Sequence, residues 1–174
     1  ITFTYLENIP QRNAIKERLT EIWDYEKISA PFKRGGKYYF YKNEGLQNQS
    51  VLYSADDLGG EEKVILDPNT FSEDGTVALS GTYFNQEGNL LGYAKSIGGS
   101  DWKEFYIKDL STGKDRKDHL QWIKFSGMAW AGDGFYYSRY PKPEKGGELD
   151  ASNENAEVYY HQLGTEQKMD NLIF

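Results

Sequence analysis

The amino-acid sequence predicts an all-β protein, a partial β-propeller of about three blades, and three observations carry that prediction. The first is a recurrence: a pair of aromatic strands followed by a glycine turn appears three times, at intervals of about fifty residues. The second is composition. Aromatic residues make up 16 % of the 174 residues, fourteen of them Tyr, and eighteen Gly supply turns. Aromatic side chains suit a pleated, half-buried surface. The third is the turn chemistry, glycine with Asn or Asp between short apolar runs, which marks hairpins.

The elements come in order along the chain. A helix is expected over 10–24: Pro10 suits a first-turn position, where its missing N–H costs nothing. Ile15, Leu19, Ile22 and Trp23 recur at helical spacing, with Arg12, Lys16, Glu17, Arg18 and Glu21 on the other face. Nothing else reads as helical, so this apolar stripe requires a partner layer elsewhere. From Phe32 onward the pattern is strand and turn. The first copy runs from Gly36-Lys37-Tyr38-Tyr39-Phe40-Tyr41 through Ser50-Val51-Leu52-Tyr53 to the turn at Gly59. The second runs from Gly88-Asn89-Leu90-Leu91-Gly92-Tyr93 through Glu104-Phe105-Tyr106-Ile107 to Gly113. The third runs from Gly134-Phe135-Tyr136-Tyr137 through Glu157-Val158-Tyr159-Tyr160 to Gly164. Lys63-Val64-Ile65-Leu66 adds a short strand closed by Asp67-Pro68-Asn69. Hairpins are expected about Asn85–Gly88, between Val77–Gly81 and Leu90–Tyr93, and about Gly132–Gly134, between Phe125–Trp130 and Phe135–Tyr137. The stretch 141–156, with Pro141, Pro143, Gly146 and Gly147, reads as a long polar loop inside the third copy. The domain boundaries that result are 1–24 for the helical segment and 25–174 for the propeller, with blades over 25–70, 71–120 and 121–174.

Charge narrows the partners. A net charge of −7 argues against a nucleic-acid partner, which needs a basic stripe, and against an anionic membrane surface. No apolar run approaches the roughly 18 residues of a helical span. With no Cys, disulfides and thiolate metal sites are absent from the chain. Ile1-Thr2-Phe3-Thr4-Tyr5-Leu6 carries no initiator Met and no signal-peptide core, and reads as an edge inside a longer protein. Leu172-Ile173-Phe174 reads as the other edge.

Motifs for chemistry are sparse. A serine nucleophile elbow needs G-x-S-x-G at a strand-to-helix turn. Gly98-Gly99-Ser100-Asp101-Trp102 lacks the closing glycine and precedes a strand, so Ser100 reads as a turn residue. His119, in the charged stretch Arg116-Lys117-Asp118-His119, reads as solvated, and His161 as a surface or blade-packing residue. Two isolated histidines do not make a zinc site, and Asp56-Asp57 with Glu61-Glu62 lacks EF-hand spacing. No metal or cofactor is implied.

The order of short words is more specific than the period. Gly45-Leu46-Gln47-Asn48-Gln49-Ser50-Val51-Leu52-Tyr53 is followed by Leu66-Asp67-Pro68-Asn69 and Ser72-Glu73-Asp74-Gly75-Thr76-Val77-Ala78-Leu79. Then come Gly99-Ser100-Asp101-Trp102, Lys124-Phe125-Ser126-Gly127-Met128-Ala129-Trp130 and Tyr159-Tyr160-His161-Gln162-Leu163-Gly164-Thr165. This string resembles the prolyl oligopeptidase (prolyl endopeptidase) family, from the end of its N-terminal segment into the third propeller blade, and covers essentially the whole chain. The resemblance implies a serine endopeptidase that cleaves short peptides after proline, with a Ser-Asp-His triad on an α/β-hydrolase domain capped by a seven-bladed propeller. It implies that 1–24 pack on that hydrolase domain and that no catalytic residue lies in this chain. The compartment expected is the cytoplasm, with the periplasm as alternative. By motif, Phe125 matches an aromatic lining a pocket for residues on the N-terminal side of the scissile bond. Packing in the blade core is its other reading. Asp101 matches an acidic residue near the domain interface, with Trp102 beside it; both join Phe125 as expected substrate-binding residues, with a purely structural role as the favoured reading for the pair. Gly132-Asp133-Gly134 is shorter than the family's D-G-K-G turn. A non-catalytic propeller scaffold that binds a protein on its face is the alternative function.

Overall fold

The computed structural model describes residues 2–144, 146–147 and 152–174, so part of the expected 141–156 loop lies outside the described residues. Two helices come first, α1 (Thr2–Glu7) and α2 (Arg12–Trp23). α2 forms where the apolar spacing places it, but starts after Pro10, with Gln11 at its N-cap. α1 corrects the expectation that 10–24 is the sole helix. Its Thr and Phe/Tyr content favours strands by propensity, and Asn8 Nδ2 donates to Thr4 O (2.8 Å) at its C-terminal end. Short 3-10 turns at Pro68–Thr70 and Gln167–Met169 add to the correction. Ile15, Leu19, Ile22 and Trp23 are all exposed, so the apolar stripe of α2 has no cover among the described residues. Lys27 Nζ ties the end of α2 to the loop around Gly45, donating to Trp23 O (2.8 Å) and Gly45 O (2.9 Å).

The strands form three antiparallel sheets. In the first, β3 (Lys37–Asn43) pairs with β4 (Val51–Ala55) and β4 with β5 (Lys63–Leu66), while β1 (Lys27–Ile28) and β2 (Phe32–Arg34) share the other edge of β3. The second runs β6 (Val77–Phe84), β7 (Leu90–Ile97), β8 (Lys103–Asp109), β9 (Lys114–Ile123). The third runs β10 (Ala129–Ala131), β11 (Gly134–Arg139), β12 (Glu157–Gln162), β13 (Asn171–Leu172). β2–β5, β6–β9 and β10–β13 are each a meander of four neighbouring strands, which is the build of a propeller blade, and β1 adds to the first. The recurring glycines hold one place in all three: Gly59 (φ 84°) between β4 and β5, Gly113 (φ 69°) between β8 and β9, and Gly164 (φ 84°) between β12 and β13. Left-handed φ at a tight turn is what glycine supplies without strain.

Two strands differ from expectation. Phe125–Met128 are not strand; β10 starts at Ala129, because Phe125 sits at φ 51°, outside the extended region. The short Gly132-Asp133 turn closes the hairpin with Ala131 opposite Gly134 and Trp130 opposite Phe135. β9 runs through the charged stretch read as solvated: Asp118 and Leu120 are buried while Arg116, Lys117 and His119 are exposed. One-sided burial of this kind needs only every second residue to be buried.

The core lies between blades. Tyr39, Leu52 and Leu66 of the first pack against Leu91 and Tyr93 of the second. Phe105, Ile107, Leu120 and Ile123 of the second pack against Phe135 and Tyr137 of the third. Trp130 crosses the second seam, its Nε1 donating to Tyr83 O (3.0 Å). Apolar side chains therefore pack across both seams between blades, as they do in repeat architectures, while Phe40, Val51 and Ala55 are buried on the other face of the first blade.

Candidate functional site

At one rim of the sheets, where β7 ends, β8 begins and β9 ends, several aromatic rings converge. Trp102 immediately precedes β8 and its backbone N–H donates to Ser100 Oγ (3.1 Å), so Ser100 acts as a turn residue. The Trp102 ring meets Trp122 edge-on at 5.6 Å and Tyr140 at 6.3 Å, and Tyr140 in turn meets Phe125 at 6.4 Å. Lys124 Nζ lies 4.1 Å from the Trp102 ring centroid, a cation–π contact, and donates to Asn153 Oδ1 (3.0 Å). Beside the rings is a cleft of about 320 Å³ lined by Trp102, Trp122, Ile97, Ser100, Lys103, Glu104 and Gln121. Burial would raise the Glu104 carboxyl, but hydrogen bonds from Tyr106, His119 and Gln121 outweigh it and hold Glu104 below the usual carboxylate range. The cleft thus presents two indoles and an ionised carboxylate.

The backbone marks the same place. Trp122 has φ 63° and Phe125 φ 51°, two bulky residues in the left-handed region three positions apart. Such residues cost on the order of 1–2 kcal/mol each and cluster at functional sites. Tyr140 N–H bonds Trp122 O (3.1 Å) and Ser138 N–H bonds Ser126 Oγ (2.8 Å), which locks this corner to the third blade. Phe125 is 67 % exposed, so it does not pack in the blade core.

Of the residues singled out from sequence, Phe125 and Trp102 thus belong to one aromatic cluster through Tyr140. Asp101 sits exposed in the adjacent turn, outside that cluster. Trp122, Lys124 and Tyr140 were not singled out: a left-handed backbone marks Trp122, and ring and cation–π contacts bring in Lys124 and Tyr140, signals that residue spacing does not carry. His119 is bonded rather than free in solvent: Nε2 meets Glu104 Oε2 at 2.8 Å and its ring stacks on Tyr106 at 4.6 Å. His161 is fully buried, between Asp118 and Asp170. Among the described residues no group of three or more His, Asp or Glu is placed to hold a metal, and no helix is long and apolar enough to cross a membrane.

Comparison with known proteins places this architecture. The family model for the prolyl oligopeptidase N-terminal beta-propeller domain matches residues 1–174. A prolyl endopeptidase of Elizabethkingia miricola is 51 % identical over 173 residues, covering 99 % of this chain and 24 % of that protein. A prolyl oligopeptidase of Omphalotus olearius is 36 % identical, covering 98 % of this chain and 26 % of that protein. Among solved structures, prolyl oligopeptidase B of Galerina marginata bound to a 35mer hydrolysis and macrocyclization substrate superposes with a TM-score of 0.88 at 30 % identity, over 98 % of this chain and 27 % of that one. The chain spans about a quarter of the length of the curated relatives it matches. Three antiparallel blades and a family match over every residue together give the assignment: the chain belongs to the prolyl oligopeptidase family and forms part of its N-terminal β-propeller region.

Proposed function

We propose that this chain is the propeller portion of a serine-type endopeptidase that cleaves short peptides after proline, and that it gates access to an active site on an α/β-hydrolase domain. The single observation that carries the site is the exposed Phe125 ring on a left-handed backbone beside the Trp102–Trp122 pair. A flat apolar wall desolvates a prolyl ring or an aliphatic side chain without demanding a hydrogen-bond donor from it. In this reading Phe125 and Trp102 contact the peptide on the N-terminal side of the scissile bond, and Asp101 faces the domain interface. The chain supplies no nucleophile, so its part is selection: seven blades around a narrow opening admit an extended oligopeptide and exclude a folded protein. The uncovered faces of α1 and α2 support docking on the hydrolase domain, since exposed side chains such as Phe3, Leu6, Leu19 and Trp23 do not stay in water by preference. The proposed compartment is the cytoplasm, with the periplasm as alternative.

The test uses the intact protein. It should cleave a short blocked peptide after proline, label covalently with a serine-directed fluorophosphonate, and leave a folded protein of similar sequence content uncut. Absence of both labelling and cleavage, with an intact mass near the 20.0 kDa of this chain, would instead favour a non-catalytic scaffold.

A further inference from the structure

The seam between the second and third blades is closed by a buried histidine held from both sides. His161, on β12, is fully buried; its Nδ1 lies 2.7 Å from Asp170 Oδ1 and its Nε2 3.1 Å from Asp118 Oδ1. Ionised carboxylates only accept hydrogen bonds. Two such acceptors on the two ring nitrogens require a proton on each nitrogen, which is the imidazolium. Asp118 belongs to β9 of the second blade, and Asp170 to the segment after the Gln167–Met169 turn, so one cation joins three pieces of chain.

The same segment braces the aromatic rim. Gln167 Oε1 accepts from the backbone N–H of Gln121 (3.0 Å) and Gln167 Nε2 donates to the carbonyl of Gln121 (2.9 Å). Gln121 immediately precedes Trp122, the strained residue at the cleft. The path is therefore continuous: His161 to Asp170, along the 167–170 turn to Gln167, across to Gln121, and into Trp122. A second branch reaches the same strand, since Asp118 and Trp122 are both on β9. We propose that His161 is a positioning residue, a charged clasp that holds the second and third blades together and sets Trp122 in the aromatic rim, and that its deprotonation loosens both.

The charged and titratable groups around it are few. From β9 come Asp118 and Arg116, whose Nε lies 3.3 Å from Asp118 Oδ2. From β11 come Tyr137, whose hydroxyl donates to Asp170 Oδ2 (2.7 Å), and Arg139, which acts on Asp170 at longer range. From β12 itself comes Tyr159, whose ring lies 3.9 Å from the Arg139 guanidinium. The Phe135 ring, 5.3 Å away, closes an apolar side. Burial disfavours the charge on His161, but the hydrogen bonds to Asp118 and Asp170 outweigh it and raise the group to about 9. Burial and its bond to Asp170 raise the Tyr137 phenol further, so the histidine titrates first.

The clasp stands on the hydrogen-bond geometry and not on the peptidase reading; only the kinetic arm below uses that reading. In the intact protein, long-range ¹H–¹⁵N imidazole spectra, with His161→Gln for assignment, should show His161 protonated on both nitrogens at pH 7.5. A neutral tautomer there overturns the proposal. The near-ultraviolet circular dichroism difference between wild type and Trp122→Phe should change between pH 7 and 10 with a midpoint near 9. That transition should be lost in His161→Gln. A flat difference signal, or an unchanged transition in His161→Gln, overturns the coupling. If His161→Gln does not fold, Asp118→Asn replaces one ionised acceptor by a neutral one and should move the midpoint down by about one pH unit or more; an unmoved midpoint overturns the clasp. With a short prolyl peptide, KM should rise severalfold through the same pH range in wild type relative to Asp118→Asn measured at matched kcat, and parallel KM profiles count against positioning.

Discussion

Phe105 and Phe125 both sit where the second blade meets the third, and should behave in opposite ways when cut to alanine. Phe105 has no solvent exposure and touches aromatic rings on both sides of the seam, Tyr83 at 5.9 Å, Phe135 at 6.5 Å and Tyr137 at 6.3 Å. Removing its ring forfeits roughly 2–3 kcal/mol of transfer free energy and leaves a cavity whose lining can collapse only in part, for a total of about 3–5 kcal/mol. Domains are stable by about 5–15 kcal/mol, so Phe105→Ala removes roughly a fifth or more of that. Phe125 is 67 % exposed, and its truncation should change stability by no more than about 0.5 kcal/mol. In the proposed function its cost falls on the substrate instead. Losing one aromatic wall of about 1 kcal/mol raises KM about fivefold with kcat unchanged, the signature of lost uniform binding. The assays are urea unfolding of the intact protein followed by near-ultraviolet circular dichroism, and steady-state hydrolysis of a short prolyl peptide. The reasoning is refuted if Phe105→Ala unfolds within about 1 kcal/mol of wild type, or if Phe125→Ala loses more than about 2 kcal/mol of stability with KM unmoved.

Four further outcomes rest on the same structure. His161 has its pKa raised from the ordinary 6.5 to about 9, so its contribution of about 3 kcal/mol is fully present below pH 6.5 and is lost as pH rises through 9; denaturation midpoints measured from pH 6 to 10 should fall across that window, and a level profile contradicts it. Burial would raise Asp118, but bonds from His161 and Gly164 hold it below its usual range, so acid below the carboxylate range should also destabilise the seam, read as a falling midpoint under pH 4. A methyl group on Gly134 would run into the backbone carbonyl of His161, which cannot move aside, and Gly134→Ala should cost about 2 kcal/mol or more, measured by urea unfolding. At Phe125, φ 51° suits glycine, so Phe125→Gly should unfold at higher urea than Phe125→Ala by about 1 kcal/mol; equal stability would remove the strain argument.

What the sequence made legible is what repeats locally. Gly59, Gly113 and Gly164 announce one turn in three blades because a left-handed turn restricts the residue on the spot. Ile15, Leu19 and Ile22 announce α2 because helical spacing is a local periodicity. α1 was hidden because Thr2–Glu7 is short and rich in strand-favouring residues. β9 was hidden because Arg116, Lys117 and His119 are exposed on a strand whose buried residues in that stretch are only Asp118 and Leu120. The aromatic rim was half legible. Phe125 and Trp102 stand out within recognisable words, whereas Trp122 and Tyr140 join them through a backbone turn fixed by contacts between blades. The His161 clasp was illegible altogether, since its partner Asp118 lies 43 positions away and the pairing exists only once the blades dock.

Open blade faces bear on the isolated chain. Ile28, Val64, Tyr136 and Leu172 are exposed on the outer sheets, and unpaired apolar faces of this kind associate. The 174 residues alone should form oligomers or melt without a sharp transition, whereas a monomer with one cooperative melt would contradict the open-array description.

The claim that this propeller portion selects peptides by size is tested most directly by one series. The intact protein is given peptides with a single proline, lengthened stepwise from four to about sixty residues, and kcat/KM is measured for each. Near-constant values are expected for short peptides, with a fall of tenfold or more beyond a few tens of residues. Equal kcat/KM across the whole series would contradict it.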